Sequence, residues 1–257
     1  MARACLARPR SLAIHPLAER TEITMTPANA YGLADGVSFR NVADTVIFLD
    51  AAGDRYLRLT RDQSRWFSEV AGAHDLGDLS EKARSLGRRL EEIHLIRPSL
   101  RPGESIAECT LAPARGSAFE AMMLAPAPLK LTALPRFAAA LAASHALEKK
   151  ASLRRTLDAA RMWKRRPPRA PVMAEAKVIR LCADFHALAP YFLTTRDACR
   201  FRSLLLVRYL AGYGVRSDWV FGVRLAPFRA HCWVEHDGLV LNDYFDHTIE
   251  FEKILSV

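Results

Sequence analysis

The sequence predicts an α+β fold with two modest domains, and three observations support this prediction. Alternating apolar and polar residues between positions 36 and 59 indicate short strands. Helical periodicity follows to about residue 96 and returns in longer segments between residues 130 and 210. From residue 218 the period changes to two again, as in an antiparallel sheet. Because half of the 257 residues are hydrophobic, the chain can bury a core in each domain.

The first elements form a module of three strands followed by two helices. The strands are predicted at 37–42, 45–49 and 56–59. Thr60 is a favourable N-cap for a helix that begins at Arg61 and carries Trp66 and Phe67 on one face. Asp78 or Ser80 begins a second helix, which ends near Ile93.

Composition sets the expected domain boundaries. Residues 1–35 lack an ordered pattern and are expected to be a tail, and residues 36–96 form the module. Prolines, glycine and weak periodicity indicate a linker at 97–128. The second domain is then expected to cover residues 129–257.

The second domain is predicted to begin with helices and to end with a sheet. Helices are expected at 130–149, 153–164, 173–188 and 204–210. Gly212 or Gly214 ends the last helix. Strands are expected at 218–225, 230–236 and 239–244. This order makes the second domain α+β as well.

Composition also limits location and metal chemistry. No segment reaches the roughly 18–20 consecutive apolar residues of a membrane-spanning helix, and charges and prolines interrupt the first 30 residues too often for a secretory signal. The five cysteines are an odd number without a C-x-x-C pair, which argues against a disulfide framework and a zinc site. We therefore expect a soluble, cytoplasmic protein without a metal or a membrane partner.

The formal charge of +9 favours acidic partners but does not choose among nucleic acid, membrane surfaces and acidic peptides. Many basic residues lie between positions 149 and 169, where we interpret them as a hydrated helix face and a basic linker. Trp163 is the sole aromatic residue in that stretch, so a base-stacking surface is poorly supported. We do not expect nucleic acid as a partner.

Cys199 has the position of a reactive cysteine. It follows Thr194-Thr195-Arg196-Asp197 and is expected in the first turn of a strongly apolar helix. Free backbone N–H groups and the helix dipole stabilise a thiolate there. A lone cysteine is more often a small core residue, so this interpretation depends on the partners that follow.

His231 and Asp243 are the expected partners of Cys199. Strand alternation puts His231 and Cys232 on opposite faces, so Cys232 should not disturb the chemistry. A three-residue loop at 236–238 would oppose His231 to Asp243, whereas a two-residue Asp237-Gly238 turn would oppose it to Tyr244. We favour the three-residue loop because it gives the imidazole a carboxylate, which uses function to choose structure and is therefore a hypothesis.

Other candidates for these roles are weaker. Cys182 lies inside an apolar helical pattern, and Cys5 and Cys109 lie in poorly patterned stretches. The remaining histidines lack a comparable cysteine and carboxylate. Gln63 is the only glutamine and lies in the other domain, so the backbone N–H of Cys199 is the one oxyanion donor that the sequence suggests.

The motifs around these residues closely resemble the lasso-peptide biosynthesis B proteins. The matching stretches are Cys199-Arg200-Phe201-Arg202-Ser203-Leu204, Val220-Phe221-Gly222-Val223-Arg224, Ala230-His231-Cys232-Trp233-Val234-Glu235 and Gly238-Leu239-Val240-Leu241-Asn242-Asp243. The resemblance implies a transglutaminase-like, papain-like cysteine protease domain with the triad Cys199, His231 and Asp243. Cys232 departs from the family pattern, in which alanine is commoner.

Residues 36–96 resemble the winged-helix-like peptide-recognition element shared with the pyrroloquinoline-quinone D protein. In that family a leader peptide adds as an edge strand beside the third strand and packs against the last helix. The resemblance implies that the leader contacts Arg55, Tyr56, Leu57, Arg58, Leu59, Arg84, Arg88 and Glu91.

The two resemblances together imply a leader peptidase of lasso-peptide maturation. It would bind the precursor's leader, hydrolyse the bond between leader and core, and pass the core to an asparagine-synthetase-like cyclase. ATP would be used by that cyclase, and no cofactor is expected here. The alternatives are a transglutaminase-like acyltransferase with the same triad, and a non-catalytic peptide-binding or nucleic-acid-binding module.

Overall fold

The computed structural model describes residues 30–99, 104–125, 128, 130–165, 173–194 and 199–257. It confirms the α+β class, with a small strand-rich N-terminal module and a C-terminal domain of helices and a five-stranded sheet. In the described part of the chain, no helix is both long and apolar enough to span a membrane.

The N-terminal module is built on an antiparallel sheet in the order β2-β3-β4. Its strands are β2 (Val37–Val42), β3 (Thr45–Asp50) and β4 (Arg55–Arg58), close to the predicted ranges. Helix α1 (Arg61–Gly72) begins with a capping box, in which Thr60 Oγ1 accepts from the Gln63 N–H at 3.2 Å and Gln63 Oε1 accepts from the Thr60 N–H at 2.9 Å. Ser80 caps α2 (Glu81–Glu92).

The module extends beyond the expected range of 36–96. β1 (Tyr31–Leu33) pairs antiparallel with β5 (Ile96–Pro98). Tyr31 and Ile106 are buried in the same hydrophobic cluster as Phe48. The expected tail and linker therefore each contribute residues to this core.

Part of the expected linker also belongs to the C-terminal domain. β6 (Gly116–Ser117) pairs in parallel with β9 (Leu239–Val240), and α3 (Phe119–Leu124) buries Met122 in the C-terminal core. Residues 100–103, 126–127 and 129 lie outside the described residues.

The C-terminal domain has four longer helices, of which the last packs against the sheet and the other three pack against the last. They are α4 (Leu134–Lys150), α5 (Leu153–Arg165), α6 (Glu175–Phe192) and α7 (Cys199–Ala211). The sheet order is β10-β7-β8-β9-β6, in which β7 is Asp218–Arg224, β8 is Arg229–His236 and β10 is Glu252–Ser256. The short helix α8 (Phe245–Thr248) lies between β9 and β10. α7 is buried along most of its length because its sequence is apolar on nearly every side.

Candidate active site

Cys199 is the first residue of α7, as the expected first-turn position requires. It is half-buried, and its backbone begins the helix that packs against β8. Residues 195–198 lie outside the described residues. A helix N-terminus carries partial positive charge, so this position favours the thiolate over the thiol.

His231 lies on β8, opposite Gly222 of β7, and its Nε2 is hydrogen-bonded to the Asp243 carboxylate. The His231 and Asp243 side chains are only 16% and 14% exposed, so water screens their interaction weakly. The imidazole lines the same cavity as the Cys199 sulfur and interacts with it. The structure thus brings the three expected residues together.

The prediction of a three-residue loop between β8 and β9 is wrong. Glu235 pairs with Val240 and His236 with Leu239, so the loop is the two-residue Asp237-Gly238 turn. Both turn residues have positive φ, 48° and 77°. The Asp-Gly pair is the sequence signal for such a turn, and that signal should have outweighed the functional argument.

Asp243 reaches His231 because β9 is shorter than expected. The strand ends at Val240, and Asn242 Oδ1 then accepts the Val234 N–H at 2.8 Å in place of a strand backbone. Asn242 Nδ2 donates to Ser203 Oγ on α7 at 3.0 Å. The chain bends there and turns the Asp243 side chain back toward His231, which simple strand register would not allow.

Cys232 contacts the nucleophile, so the expectation that it would not disturb the chemistry is wrong. Its side chain points away from His231, as alternation predicts, but α7 packs on that face of β8. The Cys232 and Cys199 sulfurs are 3.7 Å apart, with Cys232 donating. Cys232 is only 3% exposed.

These contacts shift the pKa values of Cys199 and His231 in opposite directions. The hydrogen bond from Cys232 and the contacts with His231 outweigh burial and lower the pKa of Cys199 to about 4. Burial lowers the pKa of His231, but its hydrogen bonds to Asp243 and Cys199 prevail and raise that pKa to about 9. Between these two values the site holds a thiolate and an imidazolium.

His247 is a further member of the site that the sequence analysis missed. Its Nδ1 lies 3.1 Å from both carboxylate oxygens of Asp243, and its ring centroid is 4.7 Å from that of His231. Asp243 and His247 are four residues apart, a spacing at which side chains meet on a helix. This spacing was the signal in the sequence, but it depends on the helical turn of α8. Donor atoms of His231, Asp243 and His247 lie within 4.8 Å of one another and could hold a metal ion.

A cavity of about 340 Å³ opens at Cys199. It is lined by polar and aromatic side chains: Phe119, Phe185, His186, Cys199, Arg202, His231, Cys232, Asn242, Asp243, Tyr244 and His247. Burial lowers the pKa of His186 to about 4, so that this imidazole is neutral at pH 7. The cavity gives a substrate access to the sulfur.

Residues 136–256 match a family model described as the transglutaminase-like superfamily. The C-terminal domain is transglutaminase-like. This superfamily includes cysteine peptidases and acyltransferases, and the matched range contains Cys199, His231 and Asp243. No curated protein and no solved structure matches the chain.

Cys109 and Cys182 do not line the active-site cavity. Cys182 is fully buried, and burial raises the pKa of its thiol far above the usual value. Burial likewise raises the pKa of Cys109. Cys5 lies outside the described residues.

The expected leader-binding residues lie on β4 and α2. Leu59 is buried in the module core, so its side chain is turned away from any ligand. Tyr56 packs edge-on against Phe228 of the transglutaminase-like domain, with ring centroids 5.9 Å apart. Arg58 is exposed. Leu57 also packs against the module core, and Arg55 pairs with Asp50.

The expected residues of α2 differ in their surroundings. Arg84 donates to the backbone carbonyls of Leu76 and Leu79. Arg88 is exposed, and Glu91 is half-buried.

Part of the basic stretch is engaged within the protein. Arg154 lies 3.8 Å from Asp35, Lys164 pairs with Asp218, and Arg161 pairs with Asp158. Trp163 packs against the C-terminal core beneath the Arg208 guanidinium. These contacts reduce the charge and the aromatic surface that this stretch offers to a ligand.

A second cavity, of about 750 Å³, lies between the N-terminal module and α5. Its charged lining residues form ion pairs with one another, as in Arg97 with Glu104 and Arg55 with Asp50. His94 lines it, but none of its described lining residues is a cysteine, so the smaller cavity is the candidate active site.

Proposed function

We propose that this chain is the leader peptidase of lasso-peptide maturation, which captures the leader of a precursor peptide and hydrolyses the bond between leader and core. The observation that carries the proposal is Cys199 at the N-terminus of α7, in one cavity with a His231 imidazole that is hydrogen-bonded to the Asp243 carboxylate. The resemblance of the N-terminal module to peptide-recognition elements supports the choice of substrate.

In the first step, the Cys199 thiolate attacks the scissile carbonyl carbon. The carbonyl oxygen becomes an oxyanion near the N-terminus of α7, where the helix dipole and the Cys199 N–H stabilise negative charge. His231 then donates its proton to the departing core amine, and the leader remains on Cys199 as a thioester.

In the second step, neutral His231 takes a proton from water, which attacks the thioester. Cys199 leaves as a thiolate, and the leader is released with a free carboxylate. Asp243 keeps the imidazole oriented through both steps. The core amine is then free for an ATP-dependent, asparagine-synthetase-like cyclase, which is the expected partner.

The open edge of β4 supports capture of the leader by strand addition. Leu59 N–H donates to Val46 O of β3 at 2.9 Å, and antiparallel alternation makes Leu57 and Phe48 the next bonded pair. The N–H groups of Tyr56 and Arg58 therefore point away from β3. No other strand of the described chain pairs with this edge.

Contacts between the two domains hold the start of β4 close to the start of α7. Arg200 follows Cys199, and its Nη1 donates to both carboxylate oxygens of Asp54, the residue before β4, at 3.0 Å each. Tyr56 contacts Phe228 in the turn that leads into β8 and His231. A peptide paired with β4 would therefore need few further residues to reach Cys199.

The test is the mass of the products formed from the precursor peptide encoded beside the gene of this chain. We expect a leader with a free carboxylate and a core with a free amine. A leader joined to an added amine, with little free acid, would contradict hydrolysis and support the acyltransferase alternative. No reaction, with tight binding of the leader, would support a non-catalytic binding module.

Arg58→Pro is expected to weaken leader binding at least tenfold, about 1.4 kcal/mol. Proline removes the outward N–H of Arg58 and leaves the hydrogen bonds between β4 and β3 in place, since proline is tolerated on an edge strand where the N–H faces outward. Fluorescence anisotropy with a labelled leader peptide measures the loss.

The matched control is Arg58→Ala, which removes the charge and keeps the N–H. Circular dichroism must show that both variants are folded. If the two folded variants bind the leader equally well, the outward N–H of Arg58 is not part of the binding edge.

A further inference from the structure

Two thiols face each other at the base of the active-site cavity. Cys199 Sγ lies 3.7 Å from Cys232 Sγ. Both side chains line the cavity, but Cys199 is half-buried whereas only 3% of Cys232 is exposed. A small oxidant entering the cavity therefore reaches Cys199 first, with Cys232 behind it.

The position of Cys232 is fixed by the fold. It pairs with Phe221 in the sheet, and its carbonyl accepts from Ser203 Oγ at 3.2 Å. Ser203 lies one turn after Cys199 on α7, so the same helix holds both partners. A disulfide bond requires the sulfurs to approach from 3.7 Å to about 2 Å, and Cys199 borders the free space of the cavity.

The two thiols differ in their surroundings. Cys199 lies at the N-terminus of α7, where partial positive charge favours the thiolate, whereas Cys232 lies buried within β8. A thiolate is the form that peroxides oxidise. Burial raises the pKa values of Cys109 and Cys182, so Cys199 is the expected site of attack among the described cysteines.

We propose that Cys232 is a resolving cysteine, which converts peroxide-oxidised Cys199 into a reversible Cys199–Cys232 disulfide that switches the active site off. The oxidant class is a hydroperoxide, such as hydrogen peroxide. The loss of peptide cleavage on oxidation rests on the proposed function, but disulfide formation itself does not.

The reaction balances in two steps. The Cys199 thiolate attacks one peroxide oxygen, the O–O bond breaks, and the departing hydroxide takes the His231 proton to become water. Cys199 is then a sulfenic acid, and its sulfur has lost two electrons to the peroxide. The Cys232 sulfur attacks the Cys199 sulfur, the sulfenic hydroxyl leaves with the Cys232 proton as a second water, and the disulfide forms.

The disulfide protects Cys199 from further oxidation as well as inhibiting the active site. Without a nearby thiol, a sulfenic acid in excess peroxide proceeds to sulfinic acid, which ordinary thiols do not reduce. The disulfide stops this progression, and a dithiol reductant restores Cys199. The alanine that is commoner at position 232 in the resembled family could not supply this protection.

The experiment treats the purified full chain with hydrogen peroxide and then maps its peptides by mass spectrometry without reduction. We expect a linked pair of peptides containing Cys199 and Cys232, with a mass lower by two hydrogens. Iodoacetamide labelling of Cys199 should be lost after peroxide and return after dithiothreitol.

Cys232→Ala and Cys232→Ser are expected to prevent the link. In both variants peroxide should carry Cys199 to sulfinic acid, and dithiothreitol should not restore its labelling. Each variant is compared with its own reduced sample, because losing Cys232 also changes the reactivity of Cys199. Cys109→Ala is the control, and it should form the disulfide as the native chain does.

Two results would overturn the proposal. One is sulfinic acid at Cys199 of the native chain without a Cys199–Cys232 link, and the other is full recovery of labelling in the folded Cys232 variants. Neither readout uses a peptide substrate. A disulfide in a chain that never cleaves precursor would therefore overturn the proposed function alone, and cleavage without a disulfide would overturn this inference alone.

Discussion

Cys199→Ala is expected to reduce precursor cleavage by about 10⁶-fold, a loss of the size seen when a protease nucleophile is removed. The methyl group leaves nothing to attack the carbonyl, so no thioester forms. Leader binding should be unchanged, because the binding edge on β4 belongs to the other domain. Single-turnover cleavage followed by mass spectrometry measures the first effect, and anisotropy with a labelled leader measures the second.

Cys109→Ala and Cys182→Ala are the controls for this prediction. Neither thiol lines the cavity at Cys199, so both variants should cleave at rates close to that of the native chain if they fold. If Cys199→Ala cleaves normally while Cys182→Ala is folded and inactive, the nucleophile has been assigned to the wrong residue.

Asp243→Ala is expected to reduce cleavage by about 10⁴-fold, the cost of removing the carboxylate that orients a catalytic imidazole. It should also narrow the pH range of the remaining activity. Burial lowers the pKa of His231, but the hydrogen bond that its imidazole donates to Asp243 is the main contact that raises this pKa, to about 9. Without the carboxylate this pKa falls, so the alkaline limb of the pH–rate profile should move to lower pH.

Asp246→Ala tests whether this effect is specific to Asp243. Asp246 lies three residues away in α8 and is exposed. Its variant should keep both the rate and the alkaline limb. An Asp243→Ala variant with a low rate but an unmoved alkaline limb would mean that the carboxylate does not control the His231 proton.

Local signals predicted much of the fold. Thr60 and Gln63 identify the start of α1, because a capping box depends on residues within one turn. Alternation located the three strands of the module because it too is a pattern of neighbouring residues. The pairing of β1 with β5 was missed, since Tyr31 and Pro98 lie far apart in sequence and their strands are only three residues long.

The sequence predicted which residues form the candidate site better than it predicted how they are brought together. Motif spacing pointed to Cys199, His231 and Asp243, but the three-residue loop predicted to bring the last two together is a two-residue turn in the structure. The contact depends instead on Asn242, whose side chain replaces a strand backbone. The contact between Cys232 and Cys199 depends on the packing of α7 against β8, and periodicity within one strand carries no information about that packing.

The hydrogen bonds of Asn242 also affect when the protein becomes reactive during folding. The side-chain amide of Asn242 is hydrogen-bonded to both β8 and Ser203 on α7. It therefore connects the segment that carries Asp243 to the helix that carries Cys199. Before these elements dock, Cys199 has neither His231 nor Cys232 beside it and has the pKa of an ordinary thiol. Cys199 of a nascent or partly unfolded chain is therefore a poor nucleophile, and the reactive thiolate exists only in folded molecules.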